Sequence, residues 1–248
     1  MNQLNNLPKM IRWLILYWIG ILGLSNALAS SCHPEPNNAL PQYIIGYGSL
    51  ISEASKRSTY SNVGDNIPVI VNHYQRGWYL KGPSVRFNTT FLGVKPDKNA
   101  KINAVVFSLP KAERLNFFDR RESGYCRILV KPSLIHSLTN QVLPKAQFWI
   151  YVPSLKQIAI ASAHNPIVQS YVDIFLSGCL ELEKKYHIND FAKNCIRSTS
   201  NWSEYWINDR IYPRRPWVYQ PNALAIDRLL SSEVAEYFKA IKIEGASI

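Results

Sequence analysis

The sequence predicts an α+β fold from its length, its composition and the order of its periodic segments. Its 248 residues are 47% apolar and 18% charged, which is enough apolar material for a packed core and excludes a disordered chain. Strand-like segments rich in β-branched and aromatic residues dominate residues 43–152, and segments with helical periodicity dominate residues 166–241. Strands first and helices later favour α+β over an alternating α/β sheet.

The first 29 residues have the three parts of a secretory signal peptide. Lys9 and Arg12 supply the positive segment, residues 13–24 form an uncharged apolar run, and residues 27–29 (Ala-Leu-Ala) form a small-x-small cleavage site. The apolar run is shorter than the ~20 residues that a membrane-spanning helix needs. We therefore expect an exported protein, periplasmic or secreted, with an uncleaved signal that anchors it to the membrane as the alternative.

All four cysteines, Cys32, Cys126, Cys179 and Cys195, follow the predicted cleavage site. An oxidising compartment permits disulfides, and Cys179 with Cys195, in neighbouring predicted helices, is the best candidate pair. Buried free thiols are the alternative. Lipidation of Cys32 is disfavoured because Ala29 stands where a bacterial lipobox usually has leucine. A nucleophilic Cys126 is disfavoured because this residue falls inside a predicted strand.

The chain carries a formal net charge of +11, which falls to +9 without the signal. A weak association with anionic membrane or envelope surfaces is one expectation from this charge, and an ordinary solvated basic surface is the other. Nucleic acid is disfavoured as a partner, because the lysines and arginines are scattered and no nucleic-acid motif occurs in the sequence. The histidines and cysteines have no metal-ligand spacing, so no metal is expected.

The predicted sheet begins after a polar, proline-rich linker at residues 30–41. Its first strand, residues 43–47, runs into Gly48. A turn at residues 97–99 separates two later strands, and Gly77 is predicted to break another. A short helix over residues 111–119 begins after a proline. The remaining predicted strands cover residues 69–80, 87–94, 102–109, 125–130 and 147–152.

Residues 154–248 are predicted to form a helical extension. Apolar residues recur at close to helical period in residues 166–185, a shorter helix covers residues 188–196, and an amphipathic helix with a core-like stripe covers residues 222–241. Residues 201–220 between them are irregular. They contain an aromatic and cationic cluster that either packs on the sheet or binds an anionic or sugar ligand: Trp202, Trp206, Arg210, Arg214, Arg215 and Trp217.

Two segments carry the candidate chemistry. Tyr47-Gly48-Ser49-Leu50 follows the first strand, and its glycine and small hydroxyl residue permit a tight turn whose N–H groups converge on an anion. A plain strand-to-loop turn is the alternative. Residues 119–125 (Asp-Arg-Arg-Glu-Ser-Gly-Tyr) lead into a later strand. A carboxylate partly buried at that strand entrance, Glu122, has a raised pKa and can act as general base and acid, and a solvated charged turn is the alternative.

Together the two segments resemble the gamma-glutamylcyclotransferase-like superfamily, in which a YGS-L type loop after the first strand is followed later in the chain by a glutamate. Residues 121–125 (Arg-Glu-Ser-Gly-Tyr) are closest in motif to the glutathione-degrading, ChaC-type branch. Residues 74–78 and 91–94 are also similar to this superfamily. The resemblance therefore covers roughly Tyr43 to Val152.

The resemblance implies a mixed β-barrel with flanking helices and a helical C-terminal extension. It implies that the N–H groups of Gly48, Ser49 and Leu50 hold the α-carboxylate of a gamma-glutamyl group. Glu122 would move the proton that lets the substrate's own amine attack its γ-carbonyl, which gives 5-oxoproline and a free amine. No cofactor is needed, because the nucleophile belongs to the substrate. Tyr125 would line the pocket with Tyr47 beneath it, unless both are ordinary core aromatics.

The predicted organisation is a signal peptide at 1–29, a linker at 30–41, a barrel at 42–153 and the helical extension at 154–248. A lyase- or transferase-type cyclotransferase that acts on glutathione or another gamma-glutamyl compound is the first hypothesis. A non-catalytic exported module that binds a gamma-glutamyl or other acidic ligand is the second, and an envelope-interaction protein is the third. Glu122 favours the enzyme, because a binding module has no need for a carboxylate that repels the ligand's own.

Overall fold

A seven-stranded mixed sheet, curled into a half-barrel, forms the centre of the fold. The computed structural model describes residues 32–82, 89–215 and 221–243. The predicted signal peptide, part of the predicted linker and Trp217 lie outside these ranges. The described strands are β1 (Gln42–Gly46), β2 (Ile67–Gly82), β3 (Thr89–Leu109), β4 (Tyr125–Val130), β5 (Ile135–Ser137), β6 (Gln147–Pro153), β7 (Ile167–Val168), β8 (Thr199–Ser200), β9 (Trp206–Asn208) and β10 (Lys242–Ile243).

The helices flank this sheet and come mostly from the second half of the chain. Short 3-10 turns lie at Ser49–Ile51, Ala112–Arg114, Pro132–Leu134 and Leu155–Gln157. The described helices are α1 (Glu53–Thr59), α2 (Leu115–Arg121), α3 (Gln169–Tyr186), α4 (Phe191–Arg197), α5 (Ala223–Glu233) and α6 (Ala235–Lys239).

The sheet follows the order β4-β6-β1-β3-β2-β5, with β8 paired to β2. β1 pairs antiparallel with β3 and parallel with β6, so the sheet is mixed. A second, small parallel sheet has the order β10-β9-β7. The predicted α+β class, a mixed barrel-type sheet with flanking helices, is confirmed, and the barrel is a half-barrel.

β2 and β3 pair as long antiparallel strands, and β3 is one strand where the sequence predicted two. The turn expected at residues 97–99 is a bulge inside β3: Asn72 pairs with Lys101, but Tyr74 pairs with Pro96. The extra residues of β3 face His73, whose φ of 65° kinks β2 at the same point. The local turn chemistry is present, since the Asp97 side chain accepts from the Asn99 N–H at 3.0 Å. The prediction of two separate strands was wrong, because pairing with β2 resumes on both sides of the bulge.

Gly77 does not break β2, in contrast to the prediction. It pairs with Ser200 of β8, and a Cβ at this position would lie 2.4 Å from Ser200 Oγ and 2.5 Å from the Tyr79 ring. The glycine therefore permits a close approach of β8 to the sheet rather than a turn.

Arg76 joins the sheet to the C-terminal helices from a fully buried position on β2. Its guanidinium donates to the carbonyls of Tyr47 at 3.0 Å, Asn103 at 2.9 Å and Cys195 at 2.7 Å. Three side-chain oxygens complete the set, from Thr199, Asn103 and Ser198. Burial lowers the pKa of Arg76 to about 9, so it stays charged at neutral pH and is stabilised by neutral acceptors.

The C-terminal helices differ from the prediction at their ends. The helix expected over residues 166–185 begins only at Gln169, because Ile167 and Val168 pair with β9, and the next begins at Phe191. The helix expected over residues 222–241 is split in two at Val234, whose φ of −138° leaves the helical region. Cys179 of α3 and Cys195 of α4 form a disulfide, which confirms that predicted pair.

The described residues from Glu35 onward form one compact unit. The core lies between the sheet and α2, α3 and α4, and its largest fully buried side chains include Trp78, Trp149, Phe107, Phe118 and Phe175. Within the ranges given above, the structure contains no helix with the length and apolar character of a membrane span.

Candidate active site

A cavity of about 530 Å³ opens where α1, the end of β2, α3 and the turn before β4 meet. This volume is in the range of small-molecule sites. A much smaller cavity of about 20 Å³ shares Ser49, Glu122, Tyr125 and Tyr171 with it and extends to the loop after β1. The two sequence segments singled out above therefore line one continuous site, although they are far apart along the chain.

The loop after β1 turns through Gly48 into the 3-10 turn. The N–H groups of Ile51 and Ser52 donate to the carbonyls of Gly48 and Ser49. The Tyr171 hydroxyl of α3 contacts both the backbone and the side chain of Ser49. A Cβ at Gly48 would lie 2.9 Å from that hydroxyl, so only glycine leaves room for Tyr171 to reach the loop.

Glu122 occupies the turn between α2 and β4. Its N–H donates to the Phe118 carbonyl at 2.8 Å and its own carbonyl accepts from the Tyr125 N–H at 2.9 Å, so the backbone is fixed on both sides. The side chain is 15% exposed, at the cavity. Burial raises the pKa of Glu122, and the Arg121 and Arg215 cations oppose this rise.

Asp119, the other acid of this segment, has a structural role. It accepts from Arg127 Nε at 2.9 Å and from the Tyr151 hydroxyl at 2.7 Å, which joins α2 to β4 and β6. Of the two acids that the sequence places together, only Glu122 lines the cavity. This separates the candidate catalytic carboxylate from its structural neighbour.

Arg121 connects Glu122 to the loop and to α1. Its Nε lies 3.2 Å from Glu122 Oε1, and its Nη2 donates to Ser49 Oγ at 2.9 Å. It also donates to the carbonyl and hydroxyl of Ser55, at 2.6 and 2.8 Å, and to Thr59 Oγ1 at 2.6 Å. One guanidinium thus fixes the carboxylate relative to the loop serine.

The tyrosines around the site are held by hydrogen bonds to backbone carbonyls. Tyr47 donates to Tyr151 O at 2.5 Å, and Tyr125 donates to Leu92 O at 2.7 Å. Burial raises the pKa of both tyrosines well above the usual value, and the charge of Glu122 adds to the effect. Both therefore stay protonated and neutral beside the carboxylate, as does Tyr171.

The structure places every residue of the sequence-predicted site around these two cavities: Glu122, Tyr47, Gly48, Ser49, Leu50 and Tyr125. The Leu50 side chain is buried in the core, so only its backbone is available to a ligand. Sequence reasoning missed Arg121 and Tyr171 as site residues, and it gave Arg215 only as a member of the cluster that either packs on the sheet or binds an anionic or sugar ligand. Arg121 had a local signal, its position beside Glu122, but Tyr171 reads as one of the apolar residues of its helix and Arg215 lies in an irregular segment.

Other sequence candidates do not form a site in the described ranges. Cys126 is disulfide-bonded, so it is not a thiol nucleophile. No group of three or more histidine, cysteine or acidic side chains there is arranged to hold a metal. The aromatic and cationic cluster divides: Trp202 stacks on Trp206 with ring centroids 5.1 Å apart, whereas Arg210 pairs with Asp173 and Asp227.

No protein-family model and no curated protein matches this sequence. A solved gamma-glutamyl cyclotransferase is similar in structure, with 14% identity, 62% of this chain and 85% of that chain covered, and a TM-score of 0.48. YkqA from Bacillus subtilis is 17% identical over 63% of this chain and 53% of that chain, with a TM-score of 0.46. A gamma-glutamyl cyclotransferase specific to glutathione from yeast is 13% identical over 64% of this chain and 97% of that chain, with a TM-score of 0.44. The assignment to the ChaC-type branch stays a prediction.

Proposed function

We propose that the protein is a gamma-glutamylcyclotransferase-type enzyme, which converts a gamma-glutamyl compound to 5-oxoproline and a free amine or amino acid. The observation that carries this proposal is the meeting of Glu122 with the loop at Tyr47–Leu50 in one cavity, where Arg121 contacts both. A buried carboxyl group with a raised pKa is suited to accept and return a proton near neutral pH.

In this proposal the loop holds the α-carboxylate of the gamma-glutamyl group. The N–H groups of Gly48, Ser49 and Leu50 are the donors, and they belong to a turn held by two backbone hydrogen bonds. The Tyr171 hydroxyl already contacts Ser49, so it is placed to donate to the same carboxylate. The neutral tyrosines add no negative charge, so Glu122 is the only anion among the described residues that line the smaller cavity.

The Glu122 carboxylate then accepts a proton from the substrate's α-ammonium. The freed amine nitrogen forms a bond to the γ-carbonyl carbon and closes a five-membered ring. The bond from that carbon to the leaving nitrogen breaks as the Glu122 carboxylic acid donates the same proton to it. The Glu122 carboxylate formed in this way accepts the second proton from the ring nitrogen, which becomes the lactam N–H, and passes it to the released amine, which leaves as an ammonium. Holding one reactive rotamer makes this step an oriented intramolecular reaction, an effect that reaches ~7–11 kcal/mol in favourable cases.

We also propose that the protein acts outside the cytoplasm. The signal-like N-terminal sequence supports export, and the disulfide between Cys179 and Cys195 is of a kind that persists in oxidising compartments. The substrate would then be a gamma-glutamyl compound that is available there. The weak association with an anionic envelope surface remains part of this proposal, since it depends on the net positive charge alone.

The test is release of 5-oxoproline from glutathione, gamma-glutamyl amino acids and gamma-glutamylamines by the wild type and by Glu122→Gln. We expect product from at least one class of compound, and a loss of about 100-fold or more in the variant, because a general acid–base residue contributes ~10²–10⁴-fold. Glu113→Gln, a charge change on the turn before α2 that lies outside the cavity lining, is the matched control.

A binding module is the outcome if saturable binding of these compounds occurs without product in wild type and variant alike. Product formation that is unchanged by Glu122→Gln would overturn the assigned role of this carboxylate. If no compound is bound and none is converted, the envelope-interaction hypothesis takes first place.

A further inference from the structure

The cavity continues beyond Glu122 to a wall made by Phe91, Tyr171 and Arg215. The Phe91 and Tyr171 rings meet edge to face, with centroids 5.1 Å apart. The Arg215 guanidinium carbon lies 4.1 Å from the Phe91 ring centroid. This wall therefore has a cation over an aromatic face.

The segment that leads to Arg215 is held by hydrogen bonds of Asp209, Arg210 and Arg214. Asp209, which is buried, accepts from the Arg214 N–H at 2.8 Å and from the N–H and hydroxyl of Ser170, both at 2.7 Å, at the start of α3. Arg210 forms double hydrogen bonds with both Asp173 and Asp227. Arg215 therefore enters the cavity from an anchored stretch of chain.

Arg215 forms no salt bridge within the described residues, and the Glu122 and Asp209 carboxylates act on its charge only at longer range. Its Nε is buried without a hydrogen-bond partner there, and no carboxylate of the described ranges forms an ion pair with it. Glu122, the acid of the cavity lining, is already paired with Arg121. Lys81, which is exposed, adds a second cation to the same outer part. A desolvated guanidinium without a directly paired anion is costly, so the outer cavity is suited to a negatively charged group.

A gamma-glutamyl substrate brings one carboxylate to the loop at Ser49, and that group cannot serve the outer wall as well. A second anionic group must then belong to the part of the substrate that leaves. We infer that Arg215 is a specificity-determining residue, which binds a carboxylate on the leaving amine and so selects gamma-glutamyl amino acids or peptides over gamma-glutamylamines. This inference rests on the proposed function and gives the helical extension a part in substrate choice.

A matched pair of substrates tests this directly. Gamma-glutamyl-alanine and gamma-glutamyl-ethylamine differ by the carboxylate of the leaving group and are otherwise equal in size. We expect the wild type to prefer the alanine compound in kcat/KM by about 10- to 100-fold, the range of one charge-assisted hydrogen-bonded contact. This comparison needs no variant, so it holds even if a substitution at position 215 prevents folding.

The variant comparison uses Arg215→Gln, with Arg228→Gln as the control. Arg228 is exposed on α5 and does not line the cavity, and its change to glutamine removes the same unit of charge from the protein. We expect Arg215→Gln to lower kcat/KM for gamma-glutamyl-alanine about 10- to 100-fold and to change that for gamma-glutamyl-ethylamine less than about threefold. The control should leave both values, and their ratio, unchanged.

Equal rates with the two compounds in the wild type, or a ratio that Arg215→Gln leaves unchanged, would overturn the role of Arg215 while the cyclotransferase proposal stands. A fall of the same size for both compounds would also overturn it, because a structural defect or general attraction does not discriminate between them. Absence of product from both compounds and from the wider panel named above would overturn the proposed reaction itself, and this inference with it.

Discussion

Arg121 and Glu122 form an ion pair although they are adjacent in sequence, with Nε 3.2 Å from Oε1. Neighbouring residues within a helix point in different directions and do not face each other. Here α2 ends at Arg121, and Glu122 leaves the helical region with φ −95° and ψ 40°. The helix end thus turns the carboxylate back toward the guanidinium, which itself reaches forward to Ser49.

The buried Glu122 carboxylate is expected to limit stability at neutral pH. Because burial raises its pKa in the folded state, the folded protein binds this proton more tightly than the unfolded chain. Stability attributable to this group is therefore present below the ordinary glutamate pKa and is lost as the pH rises through the raised value. We expect Glu122→Gln to melt no lower than the wild type at pH 7 while it loses activity. The quantity to compare is the melting temperature of the variant minus that of the wild type. A difference that is lower at pH 7 than at pH 4 would contradict this.

Arg121 is expected to set the acid limb of the pH–rate profile. The wild-type limb should lie above the ordinary range of a glutamate, since burial raises the Glu122 pKa and the Arg121 cation only opposes it. Removal of that cation in Arg121→Gln should move the limb to still higher pH and lower kcat at neutral pH. The measurement is kcat/KM against pH, with Arg120→Gln as the control, since Arg120 bonds to the Asn116 carbonyl and does not line the cavity. A limb that stays in place in Arg121→Gln would refute the coupling.

Gly48→Ala is expected to disturb the contact between Tyr171 and Ser49. The added methyl group would lie 2.9 Å from the Tyr171 hydroxyl and push it from the loop. We expect a rise in KM of about tenfold, equivalent to the loss of one hydrogen bond of ~1–1.5 kcal/mol. The double variant Gly48→Ala with Tyr171→Phe removes the clashing oxygen. Its KM should match that of Tyr171→Phe alone, and simple additivity of the two single effects would show that the positions are not coupled.

The disulfide between α3 and α4 is expected to contribute to stability. Cys179 and Cys195 are 16 residues apart, and closing a loop of this length is worth about 3 kcal/mol in the chain-entropy model. Urea unfolding of the variant with both cysteines changed to alanine should show a free energy of unfolding lower by about that amount. The lower free energy of unfolding should be seen without any reductant. A urea midpoint and slope for the variant equal to those of the wild type would argue against this contribution.

The part of the site that could be predicted is the part written in short local motifs. The Tyr47–Leu50 loop and Glu122 each have a chemistry that follows from residue type and position at a strand end. Tyr171 could not be predicted, because a tyrosine in the apolar stripe of a helix has the same pattern whether it packs in the core or lines a cavity. Arg215 depends on contacts between segments far apart in the chain, which no local pattern contains.

The same reasoning explains the errors in the fold. Strand segments such as residues 125–130 were predicted well, because β-branched and aromatic runs between turns are a local signal. The bulge in β3 was mistaken for a turn because Asp97 and Asn99 have true turn chemistry, and only pairing with β2 shows that the strand continues. The split at Val234 is a matter of tertiary packing, since the apolar pattern runs unbroken through it.

The hydrogen bonds of Arg76 make the sheet dependent on sequence that comes long after it. Half of its six acceptors, on Cys195, Ser198 and Thr199, belong to α4 and the residues that follow. A chain cut at residue 153 would keep all strands that flank Glu122 yet leave this buried cation with three acceptors missing, close to the Tyr47 carbonyl. The smallest active form of this protein should therefore extend beyond Thr199. Forms that end before this residue should not fold, although they contain Glu122 and the loop.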